Sequence, residues 1–440
     1  MRKLFKPWLL LSSLLIVALV AGFACGDDDD DDDEPDATTP AASATDGGEE
    51  TPDDGELLTD VGVTDTEIKL GQHIVQSGSL AAVYQPIVPT LQAYFKYIND
   101  EEGGVCGRQI VYVTEDDTYA PAVAREKAQK LAEQDKIAAF IGNLGTPPNS
   151  GSAQYINEQE IPDLFLATGV NAFADAATLP WTVLFNPDYQ SEGTILGNYV
   201  NDNLAGESVA ILFQNDDFGK SGADAFKAVF TGDVVAEESY ESTATDINSQ
   251  LANLRNADPG ILYLYSTPGY TARAYAYMLQ NSWTPQVVMS YVNSASTLAS
   301  LVGGDAGVPE GFNRIAGAIS NNYILDPVAS VDDPAIVEHT RIMADHGGPA
   351  VGTLTVYAQA IGETVVQTLE IACENGDMTR AGIMAAAEEI DGFHPSVLLE
   401  GIDISLSDTD HAAIQSLVPV EIQADGTLLP LVDEPIEGGG

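Results

Sequence analysis

Glu67-Ile-Lys-Leu-Gly-Gln-His-Ile74, then Val75-Gln76-Ser77-Gly78, then Val83, Ile87, Leu91, Phe95 and Ile98: this stretch decides the fold. Ile68–Ile74 has the apolar density of a buried strand and stops at a turn signal. The apolar residues after it return every three or four positions, the spacing of one helix face. Strand, turn and helix make half of a βαβ unit, and the unit repeats. Gly103-Gly104 breaks the helix, Gln109–Thr114 is expected as a strand and Pro121–Gln134 as a helix. Ile137–Ile141 is the next strand, closing on Gly142-Asn-Leu-Gly-Thr146. Pro147–Gln159 follows as a helix and Asp163–Ala167 as a strand ending in Thr168-Gly169.

The rhythm then restarts. Helices are expected over 190–203, 218–230, 247–256 and 269–281, and strands over 208–213, 234–240, 261–265 and 286–290. Two βαβα runs of similar length predict an α/β chain of two doubly wound parallel-sheet lobes, with a break near Asn186-Pro187-Asp188. Beyond Gly317 the pattern turns helical over 334–346, 353–374 and 380–390, and two short strands, 417–423 and 427–432, finish the chain. These helices need a sheet to cover. A chain crossing between lobes more than once makes a multi-strand hinge.

The first sixty residues obey other rules. Arg2, Lys3 and Lys6 precede an apolar run from Trp8 to Ala24, and Cys25 follows. This is the form of a secretory signal over residues 1–25. Its end resembles a bacterial lipobox with Cys25 as the lipidated residue, although Gly22 stands where Leu is usual. The alternative is an uncleaved membrane anchor, for which the run is marginal in length. Residues 27–60 hold sixteen acids, including Asp27 to Asp33 in succession, and no Lys or Arg. Like charges with nothing to bury stay extended, so residues 26–60 are expected as a disordered acidic tether.

Charge narrows the function further. The 440 residues carry 67 acids against 17 Lys and Arg, a formal net charge of −50. Without residues 1–60 the balance is still 51 acids to 14 bases. Such a surface repels phosphate backbones and anionic headgroups, which argues against nucleic-acid binding. With Cys25 set aside, Cys106 and Cys373 remain, either a disulfide of an exported chain or two separate buried thiols.

Catalytic patterns fail when tested. Phe218-Gly219-Lys220-Ser221 looks like the end of a phosphate-binding loop, but Gln214 occupies the position of the required Gly. There is no G-x-S-x-G elbow, no CxxC and no HExxH, and His73, His339, His346, His394 and His411 are scattered. Asp116-Asp117 and Asp216-Asp217 read as exposed acidic turns. Neither enzyme activity, metal nor cofactor is expected.

Ligands of open parallel sheets sit beyond the C-terminal strand ends. Here those ends are small and hydroxylated: Ser77-Gly78, Gly145-Thr146, Thr168-Gly169 and Ser266-Thr267. Each precedes a helix or probable helix start, whose free N–H groups favour an anionic group.

A set of motifs in fixed order then points to a family. They are Gly62-Val-Thr-Asp-Thr-Glu-Ile-Lys-Leu-Gly71, Ser77-Gly78, Tyr97-Ile-Asn-Asp100 with Gly103-Gly-Val-Cys-Gly-Arg108, and Asp116-Asp117 with Tyr119 and Pro121. Gly142-Asn-Leu-Gly-Thr146, Ile161-Pro-Asp-Leu-Phe165 with Thr168-Gly169, and Asn215-Asp-Asp-Phe-Gly219 complete it. Across residues 61 to 300 the chain resembles the branched-chain amino-acid-type (leucine/isoleucine/valine) solute-binding proteins of ABC importers, the type I periplasmic-binding fold. The resemblance implies one lobe of 61–187 plus 319–400 and another of 188–318 plus 401–435, with the ligand between them. It places Ser77, Thr146, Gly169 and Asn171 at the ligand's carboxylate or other polar end, and Tyr189, Phe218, Thr267 and Tyr291 on the facing side.

One departure bears on the ligand. Amino-acid-binding members pair the ammonium with acidic side chains, and here Tyr189 and Tyr291 stand at those positions, with Asp188 and Asp217 nearby. An ammonium closed in a cleft without a partner charge is costly. An amide, a urea-like compound, a short organic acid or an aromatic acid fits as well as an α-amino acid. The resemblance implies a monomeric, extracytoplasmic lipoprotein that captures a small polar solute for an ABC-importer permease. A ligand-sensing receptor component of the same fold is the alternative.

Overall fold

The computed structural model describes residues 57–78 and 80–438. The expected signal sequence, Cys25 and residues 26–56 of the acidic stretch lie outside them. The end of that stretch is ordered rather than loose: Leu58–Thr59 pairs in parallel with Asp377–Met378.

Two sheets organise the chain. The first runs in spatial order Gln109–Asp116, Glu67–Ile74, Ala139–Ile141, Asp163–Leu166, Thr182–Leu184, all parallel. The second begins with Val234–Tyr240, Val209–Gln214, Ile261–Tyr265, Gln286–Met289 and Ile319–Asn322, also parallel. Two antiparallel strands, Ser416–Ile422 and Leu428–Pro430, extend it. In sequence order both parallel sets read 2-1-3-4-5, the doubly wound arrangement with a topological switch beside strand one.

Burial explains why these segments are strands. Every residue of Ile261–Tyr265 is buried, as expected where helices cover both faces. On the first sheet, helices Pro121–Lys130 and Thr146–Glu158 pack together on one side over Ala128, Leu131, Phe140 and Ile156. Helices Ile87–Tyr97, Pro334–His346 and Thr353–Glu374 form a second group, so the late helices do cover a sheet already built. In the second lobe, Tyr189–Asn203 packs on Asp217–Val229 at a glycine contact. A Cβ on Gly193 would lie 2.4 Å from the Gly222 carbonyl oxygen.

Cys106 and Cys373 form a disulfide with Cα atoms 6.0 Å apart. It ties the loop before Gln109–Asp116 to the last turn of Thr353–Glu374.

Two of the expected lobe boundaries move. Ile319–Asn322 belongs to the second sheet, paired with Val288 and with 418–421, so the crossing falls after residue 322 and not at 318. Residues 401–415 stay with the first lobe: Ala412 bridges Leu184, and Ile404 bridges Phe393. The return crossing therefore comes at Gln415–Ser416. The chain passes between lobes three times, near 187–188, 323–327 and 415–416.

Candidate functional site

The C-terminal ends of the two sheets face each other across a cavity with about 740 Å³ of empty space, its mouth included. From the first lobe, the loop after Ala139–Ile141 contributes Leu144, Gly145 and Thr146, and Ala167 follows the next strand. From the second come Phe218, Thr267, Tyr291 and Ser294. The crossings supply Asn186, Tyr189, Asn322 and Tyr323, and Tyr357 enters from the long helix. The lobes also approach beside Thr267, where a Cβ on Gly269 would lie 3.8 Å from Val83 Cγ2.

Helix starts give the wall its polarity. Thr146–Glu158 and Pro268–Gln280 both begin at the cavity, and neither N-terminus has a side-chain cap. Pro147, Pro148 and Pro268 carry no N–H, so each start leaves one free N–H, on Thr146 and on Gly269, at the partially positive helix end. Thr146 Oγ1 sits 2.7 Å from Thr168 Oγ1. Gly145 has φ +100°, and a Cβ there would come 2.4 Å from the Tyr119 ring. Thr118 and Tyr119 also have positive φ, 52° and 59°, an uncommon pair for residues with side chains. Strain of this kind persists where surroundings over-determine it, and here the Asp117 carboxylate accepts the Tyr119 N–H at 2.8 Å.

Asp117 belongs to a chain that sequence inspection did not find. Ser152 Oγ is 2.9 Å from His73 Nε2, and His73 Nδ1 is 2.9 Å from Asp117 Oδ2. The order is that of a nucleophile, base and acid, yet all three residues are 0% exposed. No substrate reaches the hydroxyl, and the chain serves to hold the Tyr119 loop. Beside it Asn143 donates to Asp163 at 2.8 Å, and burial raises the Asp163 pKa to about 7.

The aromatic wall is fixed from behind. Tyr291 Oη donates to the Pro187 carbonyl at 2.7 Å, and Tyr357 Oη to Asn186 Oδ1 at 2.7 Å. Tyr189 meets Phe218 edge-on at 5.0 Å and stacks with Tyr291 at 6.0 Å. Glu192, fully buried, accepts from Tyr265 Oη, Ser290 Oγ and the Tyr291 N–H. Burial raises its pKa to about 7.

Of the residues expected at the site, Thr146, Tyr189, Phe218, Thr267 and Tyr291 come together on the wall. Three do not reach it. Ser77 is exposed and bonded to Asp116, and Asn171 is exposed at the start of a short turn. Gly169 is buried behind the wall, where its carbonyl accepts the Tyr189 N–H at 2.8 Å; a Cβ there would lie 2.3 Å from Pro187 O. Asp188 caps helix Tyr189–Asn203 and Asp217 is exposed, so neither serves the cavity. Asn186, Asn322, Tyr323 and Tyr357 were not foreseen, because crossings and a distant helix bring them in, and neither was Tyr84, on the short helix Ala81–Tyr84 after Glu67–Ile74. Only the Asn186-Pro187-Asp188 break gave a signal.

Two lobes closing on a solute cavity define the class: a binding protein, not an enzyme. Residues 67–427 match the family profile described as periplasmic binding protein, and the chain belongs to that family. The family implies an extracytoplasmic location. A Leu/Ile/Val-binding protein homolog 2 of Brucella abortus is 25% identical over 339 residues, covering 73% of this chain and 83% of the relative. The chemotactic signal transduction system substrate-binding protein BasB of Halobacterium salinarum is 22% identical over 265 residues. That match covers 57% of this chain and 62% of BasB, less than two thirds of the relative's length. A branched-chain amino acid ABC transporter structure from Thermus thermophilus with bound valine superposes with TM-score 0.74 at 18% identity, covering 85% of this chain and 97% of that one.

Proposed function

We propose that this chain captures a small solute outside the cytoplasm and delivers it to the permease of an ABC importer. The observation that carries the reading is the cavity between two sheet ends, with helix N-termini and hydroxyls on its wall. Thr146, Thr267, Tyr189, Phe218 and Tyr291 are the contact residues in this reading. The moving bodies are 61–187 with 323–415 and 188–322 with 416–435, an assignment supported by sheet membership, and closure is of the hinge type. A lipid on Cys25 holds the monomer at the membrane through the acidic tether.

A thermal-shift screen of the full chain against amino acids, amides and organic acids tests capture. A ligand raises the melting temperature by mass action, and silence across every class overturns the reading. Mass spectrometry of Cys25 tests the anchor, and an unmodified thiol in the exported protein removes it. The similarity to BasB favours a second reading, delivery of the bound form to a sensor. Loss of solute uptake on deleting this gene, with taxis intact, selects the importer.

A further inference from the structure

The cavity wall contains no Asp, Glu, Lys, Arg or His among the described residues. Carboxylates are not scarce nearby. Besides Asp117, engaged by His73 and the Tyr119 N–H, four adjoin the wall, and each is occupied with the protein's own donors. Asp188 accepts from the Gln190 and Ser191 N–H groups and from Ser191 Oγ. Asp216 accepts from the Gly219 N–H and from the Gln214 side chain. Asp326 accepts from the Ser296 and Val328 N–H groups and Thr353 Oγ1. Glu192 accepts from the Tyr265 and Ser290 hydroxyls and the Tyr291 N–H. None of the four is itself part of the wall.

The positive ligand end thus has no counter-ion to meet. Ring faces are a weak substitute, and here Tyr189 and Tyr291 stack on each other while Phe218 and Tyr323 pack edge-on against them. Donors, by contrast, are in supply. The two helix starts leave one N–H each, on Thr146 and Gly269, because their other first-turn positions are prolines or already bonded, and Ser294 Oγ is buried in the wall with no hydrogen-bond partner. An unmet buried hydroxyl calls for a partner.

Resting on the solute-capture reading, we infer that the ligand lacks any cationic group. It is a neutral or singly acidic molecule with an apolar body and an acceptor end, and zwitterionic α-amino acids are rejected. Tyr hydroxyls along the wall stay protonated, since burial raises those of Tyr189, Tyr291, Tyr323 and Tyr357, so they add no negative charge, and those of Tyr291 and Tyr357 already donate to Pro187 and Asn186.

Matched sets test this by calorimetry on the full chain: phenylalanine, 3-phenylpropanoate and 3-phenylpropanamide; leucine, 4-methylpentanoate and its amide; and choline as a cation without an acid. The expected result is affinity for a deaminated acid or amide about tenfold or more above that of its amino acid, about 1.4 kcal/mol. Tighter binding of phenylalanine, leucine or choline overturns the inference and leaves solute capture standing. Silence from all of these and from the broader panel overturns both. Asn186→Asp gives a second arm by placing a carboxylate in the wall where Tyr357 still has an acceptor. It is expected to move the preference toward the amine of each set by about tenfold, and an unchanged ratio in a variant with wild-type circular dichroism counts against the inference.

Discussion

The hydroxyl of Tyr291, on the second lobe, donates to the carbonyl of Pro187, at the first crossing between lobes, over 2.7 Å. Both groups are buried, so the bond joins cavity wall to hinge out of reach of water. Tyr291→Phe leaves that carbonyl without its donor. Loss of about 1–3 kcal/mol is expected, read as a lower urea midpoint with unchanged slope. A midpoint equal to wild type shows that the carbonyl finds another partner.

Gly145 sits where the cavity loop passes the Tyr119 ring. Gly145→Ala combines positive φ with a Cβ 2.4 Å from that ring. The ring has to move, and the cavity lies beside it. Weaker ligand binding together with a melting temperature lowered by several degrees is the expected pair of effects, the second from about 1–2 kcal/mol of strain. Tyr119 lines the cavity, and wild-type affinity in the variant would show that its ring makes no ligand contact.

Asp163 and Glu192 set a pH dependence. Their ordinary values are 3.8 and 4.5, and burial lifts both to about 7. The native state then holds more protons than the unfolded chain between about pH 4 and 7. Their contribution is complete below the unfolded values and is lost as pH rises through 7. Asp163→Asn and Glu192→Gln are each expected to flatten the decline in denaturation midpoint from pH 4.5 to 7.5. A decline over this window as steep in both variants as in the wild type contradicts the assignment.

The disulfide closes a loop spanning 267 residues. Cross-links of this kind restrict the unfolded chain and contribute about 2–5 kcal/mol. Cys106→Ser with Cys373→Ser should lower the melting temperature in oxidising buffer and abolish its sensitivity to reductant. An unaltered reductant response in the double variant would assign the effect elsewhere.

Much of this was legible in the chain. Ile68–Ile74 followed by its helical repeat fixed the βα unit, and its recurrence fixed two doubly wound sheets, because side-chain period follows backbone geometry whatever surrounds it. Small and hydroxyl residues at strand ends marked Thr146 and Thr267. Thr182–Leu184, three residues long, was too short to show a period. Ile319-Ser-Asn-Asn322 has three polar residues in four and is not expected as a strand; it becomes one only because Gln286–Met289 and Ser416–Ile422 flank it.

The sequence by itself determined the class of fold, the acidic surface and the polar strand ends, which are local properties of composition and spacing. Only the tertiary structure decided the cavity's chemistry. Asp188 and Glu192 are four residues apart on one helix start; Asp188 is used up locally as the N-cap of Gln190 and Ser191, but nothing in the chain says that Glu192 is used up by the protein's own donors. That depends on where Tyr265, Ser290 and Tyr291 arrive from a hundred residues or fewer away. Charges near a site in sequence count for a ligand only if folding leaves them free.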